Sequence, residues 1–194
     1  TVELSPRLTT RTFGLTDRGL VRERNEDQFL IAELSKAMRI CQTSLPEPKV
    51  QRGEERAHLY LVADGMGGHQ AGERASAIAV AAIEYFTLNT FRWFFEPDHA
   101  GAQKVLEQFQ RAAKDADAQV AEQAAADPSL KGMGTTITMA FHLGTQVCLV
   151  HAGDSRAYLH RDGALQQMTE DHTLVAELVR QGSVREQDVA AHPL

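Results

Sequence analysis

The run Leu59-Tyr60-Leu61-Val62-Ala63 ends abruptly in Asp64-Gly65-Met66-Gly67-Gly68-His69, and this ending constrains the fold more than any other stretch of the chain. The run lacks the period-two alternation of a half-exposed strand, so it predicts a strand covered on both faces. The glycines that end it permit backbone conformations closed to other residues. Asp64 therefore stands at the mouth of a buried strand. A carboxylate so placed needs a cation or several donors, and no basic residue follows until Arg74, so a hard metal ion is its economical partner. Asp64-Gly65 also reads as a simple turn, since both residues favour turns. A phosphate-cradling loop fails for want of a Lys after the glycines. A calcium hand fails because Met66 and Gly68 stand where oxygen ligands are required.

With 194 residues the chain is long enough for one substantial core, and at roughly 100–200 residues per domain a single domain over 1–194 is expected. A net charge of −6 speaks against a general nucleic-acid or anionic-membrane binder, and it suits a cation site. The two cysteines, Cys41 and Cys148, form no disulfide framework or zinc pattern and fit a reducing, cytoplasmic setting. No apolar run approaches the roughly 20 residues that span a bilayer, so no membrane contact is expected from this segment. The sequence stops at His192-Pro193-Leu194 after a helical pattern and without a closing strand, which reads as a cut.

Arg11–Thr16 is expected as a short strand, with a turn at Asp17-Arg18-Gly19 and a second strand over Asp27–Ala32. Residues 36–57, with Pro46, Pro48 and many charges, read as an exposed loop or irregular hairpin insertion. Ala75, Ile78, Ala79, Ala82, Ile83 and Phe86 recur at helical spacing, as do Val105, Phe109, Ala112, Ala116 and Val120, predicting two long helices. Phe91, Trp93, Phe94 and Phe95 read as helix-end packing. Ile137, Met139 and Phe141 alternate at period two, and further strands are expected over 146–152, 156–160 and 164–168, as a meander with a turn at Asp162-Gly163. A helix from Leu174 to Gln181 stops at Gly182. This order predicts an α+β fold with helices packed on sheets.

Three acidic spots fall at strand ends or turns: Glu26-Asp27, Asp64-Gly65 and Gly153-Asp154-Ser155-Arg156. Ligation by oxygen alone selects magnesium or manganese over zinc. Spacing by itself does not place the three in one site, and each alone reads equally as a capped turn or an ion pair.

Four motifs in order, Arg22-x-x-Asn25-Glu26-Asp27, Asp64-Gly65-Met66-Gly67-Gly68-His69, Gly132-Met133-Gly134-Thr135-Thr136 and Gly153-Asp154-Ser155-Arg156, closely resemble the metal-dependent serine/threonine protein phosphatases of type 2C, bacterial branch. The likeness runs from about Phe13 to Leu194, with residues 36–57 as an insertion. It implies a four-layer αββα sandwich of two mainly antiparallel sheets flanked by helices, its last strands lying outside this sequence. It also implies two manganese or magnesium ions. Asp64 would bridge both, Gly65 would lend its carbonyl, Glu26 and Asp27 would bind metal directly or through water, and Asp154 would belong to a third, weaker position. Arg22 would hold the substrate phosphate, as a planar and permanently charged guanidinium suits it to do.

The implied activity is hydrolysis of phosphoserine and phosphothreonine on proteins, with a phosphoprotein substrate and a Ser/Thr kinase as the opposing partner. The chain departs from the family at Met66, where some eukaryotic members carry a His proposed as general acid, and His69 does not inherit that role. The family's later aspartates would lie beyond Leu194. The competing reading is a non-catalytic, phosphatase-like binding module.

Overall fold

The computed structural model describes residues 9–39, 50–67, 70–90 and 99–183. Two long strands come first, β1 (Asp27–Arg39) and β2 (Val50–Met66), and two long helices follow, α1 (Gln70–Asn89) and α2 (His99–Ala126). A single 3-10 turn at Pro128–Leu130 leads into β3 (Gly134–Thr135), β4 (Ile137–Leu143) and β5 (Gln146–Ala152). The hairpin β6 (Tyr158–Arg161) and β7 (Ala164–Gln167) and the short helix α3 (Leu174–Arg180) complete the described chain.

The main sheet is antiparallel in the order β1-β2-β4-β5, with β3 paired to the end of β2. Both helices lie on one face of it. Leu59 and Leu61 of β2 and Ile137, Met139 and Phe141 of β4 are buried against Ala79 and Ile83 of α1 and Val105, Phe109, Ala112 and Ala116 of α2. Each large side chain removed from water in this way contributes roughly 1.5–3 kcal/mol. The ring of Phe109 lies at the centre, 5.2 Å from Phe141 and 5.6 Å edge-on from Phe86. Alanines along both helices bring their backbones close to the sheet.

Several expectations need correction. Among the described residues the run 59–63 is covered on one face, not both: Leu59, Leu61 and Ala63 are buried, whereas Val62 is 46% exposed on the opposite face. Alternation was hidden because that opposite face is itself apolar. Residues 11–16 form no strand, because among the described residues they meet no ladder partner; Asn25 Nδ2 instead donates to Thr16 Oγ1 at 2.6 Å.

Of the stretch 36–57, residues 36–39 and 50–57 are strand, with a register shift between Ser35 and Ala37. Ala57 is fully buried, so the end of that stretch belongs to the core and is not exposed. Residues 40–49 lie outside the described residues, as do Phe91, Trp93, Phe94, Phe95, His69 and His192-Pro193. The expected meander divides in two, because among the described residues β6 and β7 pair only with each other, in a separate two-stranded sheet. Their turn does sit at Asp162 (φ 53°) and Gly163 (φ 79°), the two left-handed residues of a tight hairpin.

Candidate metal and phosphate site

The strand pairing brings the acidic spots together. The β1–β2 register places Asp27 directly opposite Asp64, so the two carboxylates stand side by side at the open end of the pair. Glu26 immediately precedes β1, and its carbonyl accepts the Gly65 N–H at 3.3 Å and the Ser76 hydroxyl at 2.6 Å, which fastens β1 and β2 to the first turns of α1. Gly65 is buried with no room for a Cβ, since one built there would collide with the Gly72 carbonyl. Gly72 is held to glycine in turn by the Gly65 backbone, whose carbonyl carbon would lie 2.9 Å from a Cβ there, and the Glu26 carboxylate packs against the same spot. Asn25 Oδ1 accepts the Asp27 N–H at 3.0 Å and aims the start of β1.

Asp154 arrives from the turn after β5. Gly153 there adopts φ 116°, a conformation that favours glycine. One cavity of about 410 Å³ is lined by Arg22, Glu26, Asp27, Asp64, Gly65 and Asp154 together, every residue singled out from the sequence as metal- or phosphate-binding. Met66 and Thr136 line it too. So do Asp17, Arg18 and Arg24, which sequence reasoning missed; Asp17-Arg18-Gly19 was visible there only as a turn.

The electrostatics follow from this crowding. Loss of water around the Asp64 carboxylate raises its pKa, and the neighbouring charges of Asp27, Asp154 and Glu26, with a hydrogen bond that the protonated Asp64 carboxyl donates to Asp27, push the same way. The residue as a whole is exposed, so the effect is one of crowding as much as of depth. Five carboxylates, those of Asp17, Glu26, Asp27, Asp64 and Asp154, thus share a cavity whose basic side chains are Arg18, Arg22 and Arg24. Apart from the Met66 thioether, the groups in the lining that can ligate an ion are oxygens, with no His or Cys among them, and that chemistry fits magnesium or manganese. Among the described residues no three His, Cys, Asp or Glu side chains are gathered tightly enough to hold an ion as they stand. The fit is therefore one of donor type and charge.

Comparison with known proteins accords with this geometry. Residues 40–189 match the family described as protein phosphatase 2C. The serine/threonine protein phosphatase PstP of Mycobacterium tuberculosis is 36% identical over 186 residues, 96% of this chain and 30% of its own length. The serine/threonine phosphatase stp of Listeria innocua is 32% identical over 178 residues, 92% of this chain and 61% of its own. The chain therefore spans between about a third and three fifths of these curated relatives. The crystal structure of the PstP catalytic domain in complex with two manganese ions superposes with a TM-score of 0.63 at 33% identity, over 93% of this chain and 66% of that one.

Proposed function

The chain belongs to the protein phosphatase 2C family, in its bacterial branch, and from that premise we propose that its cavity hydrolyses phosphoserine and phosphothreonine on proteins with two manganese or magnesium ions. The observation that carries this reading is the convergence of Glu26, Asp27, Asp64 and Asp154 with Arg22 on one cavity. Asp64 and the Gly65 carbonyl would hold the ions from the end of β2, Glu26 and Asp27 from the start of β1, and Asp154 would serve a further, weaker position. When bound, such an ion pair supplies a more acidic water and offsets charge on the transferring phosphoryl group.

The protein's own groups do the rest. The Arg22 guanidinium binds the phosphate dianion through paired N–H donors and orients it towards the carboxylate wall. The mutual repulsion of Asp27, Asp64 and Asp154 makes the cavity costly without a cation and selective for a divalent one. Met66, 61% exposed at the rim, has no proton to give, so it can pack against substrate without acting as an acid.

We infer likewise that the main sheet is one half of an αββα sandwich. Helices cover one of its faces, and Phe29, Tyr60, Val62 and Val147 lie on the other, where a second sheet would pack. A cytoplasmic setting opposite a Ser/Thr kinase fits a phosphoprotein substrate; among the described residues no helix is long and apolar enough to cross a membrane.

The test is manganese-dependent release of phosphate from a phosphoserine peptide by the wild type and by Asp64→Asn. Turnover should fall by more than about 100-fold in the variant, because a charged carboxylate oxygen that would hold the ions becomes a neutral amide. Undiminished turnover would remove Asp64 from the chemistry. Tight peptide binding with no phosphate release from the wild type would favour a phosphoprotein-binding module instead.

A further inference from the structure

The motif Gly132-Met133-Gly134-Thr135-Thr136 supplies no carboxylate, yet Thr136 touches both ends of the acidic cluster. The β2 pairing keeps the same offset on either side of Thr136, with Val62 opposite Thr138 and Gly65 opposite Thr135, so Thr136 stands opposite Asp64. At that rung one bond is ordinary: the Thr136 N–H donates to the Asp64 carbonyl at 2.9 Å. The other is not, because the Asp64 N–H donates to the Thr136 side-chain Oγ1, at 3.0 Å, where a ladder would use a carbonyl.

The same Oγ1 shares a 2.8 Å hydrogen bond with Ser155 Oγ, next to Asp154. The Thr136 methyl closes the other side of that turn, since a Cβ on Gly153 would lie 2.5 Å from Thr136 Cγ2. Thr136 is buried, at 7% exposure. From the far side the turn is gripped by His172, whose N–H donates to the Gly153 carbonyl at 2.7 Å. Thr138 adds a bond from its hydroxyl to the Ser155 carbonyl at 3.1 Å.

We propose that Thr136 is a positioning residue whose hydroxyl and methyl fix the spacing between Asp64 and Asp154, and through it the affinity of the cavity for a divalent cation. Backbone pairing alone would leave the Asp154 turn tied to β5 but not to β2. One short, branched side chain joins the two: its oxygen reaches the Asp64 amide and the Ser155 hydroxyl, and its methyl fills the space that glycine leaves at 153. The inference rests on the metal reading above.

The test is calorimetric titration of the protein with manganese, with melting followed alongside. Thr136→Val keeps the shape and removes the hydroxyl, whereas Thr136→Ser keeps the hydroxyl. The valine variant should bind manganese about 10-fold more weakly, the lower end of what losing a group that holds a metal ligand costs. The serine variant should stay within about threefold of wild type. On top of Asp154→Ala, Thr136→Val should add less than about threefold, because one end of the spacing is already gone.

Wild-type affinity in a folded Thr136→Val protein would overturn the proposal, as would penalties for Thr136→Val and Asp154→Ala that simply multiply. If Thr136→Val does not fold, Ser155→Ala, which leaves the Asp64 bond intact, should show the same weakening, and wild-type affinity there counts against the proposal equally. Identical titrations of wild type and Asp64→Asn would sink the metal reading itself and the proposal with it, a failure distinguishable from the others.

Discussion

Arg22 and Asp64 line the same cavity but are proposed for different roles, and their variants should separate. On the proposed role Arg22→Ala would remove a phosphate contact and no oxygen ligand, so it should raise KM for a phosphopeptide by about 10-fold or more while manganese affinity holds. Lost manganese binding with unchanged KM would reverse that assignment. A second residue-scale expectation concerns pH. Arg156 donates to Asp171 through Nε at 2.8 Å and Nη2 at 2.6 Å, and this pairing holds the Asp171 carboxyl below its usual pKa. A depressed carboxyl contributes stability above its unfolded pKa, about 3.9, and loses it as pH falls through the lower folded value. The melting temperatures of wild type and Asp171→Asn should therefore differ most near neutrality and converge below about pH 4. A gap that stays constant across that range would mean the pair is not the source.

At the scale of elements, legibility followed periodicity. The stripes on α1 and α2 and the alternation in β4 were each visible in the sequence, because one apolar face against one polar face leaves a pattern. Phe109, central to the α2 stripe, should therefore be the costly substitution: Phe109→Ala is expected to destabilise by about 3–5 kcal/mol in urea unfolding, against less than about 0.5 kcal/mol for exposed Leu88→Ala. Comparable values for the two would place the core elsewhere. What the sequence hid has the opposite cause. Both faces of β2 are apolar, so its true alternation was masked, and the extension of β1 and β2 through residues 36–39 and 50–57 runs through charges that signalled a loop. The site residues were legible singly from motif, while their convergence came from a register no local pattern encodes, with Asp27 opposite Asp64 and Thr136 opposite Asp64 in turn. Thr136 carried a motif signal but no chemical one, because its effect passes through a backbone amide.

For the molecule as a whole the decisive asymmetry is between the two faces of the main sheet. One is sealed by α1 and α2; the other presents Phe29 at 40% exposure, Val62 at 46% and Val147 at 59%, on adjacent or nearby strands. Scattered exposed apolar residues mean little, but several on one flat sheet face form a contiguous patch, and two such patches gain by covering each other. At the edge, β5 pairs only with β4 among the described residues, so its outer backbone groups add a second adhesive surface. The 194-residue chain is therefore expected to self-associate, with a sedimentation coefficient that rises across micromolar concentrations. Val147→Lys puts a charge on that face at its β5 edge, at a site already mostly exposed, so it should weaken association without lowering the melting temperature appreciably. Leu88→Lys serves as the control, since Leu88 is 74% exposed on α1, away from that face, and should leave association as it was. A wild type that sediments as a monomer throughout, or a Leu88→Lys variant that dissociates as readily as Val147→Lys, would show that the open sheet face is not what the chain uses to hide its apolar surface.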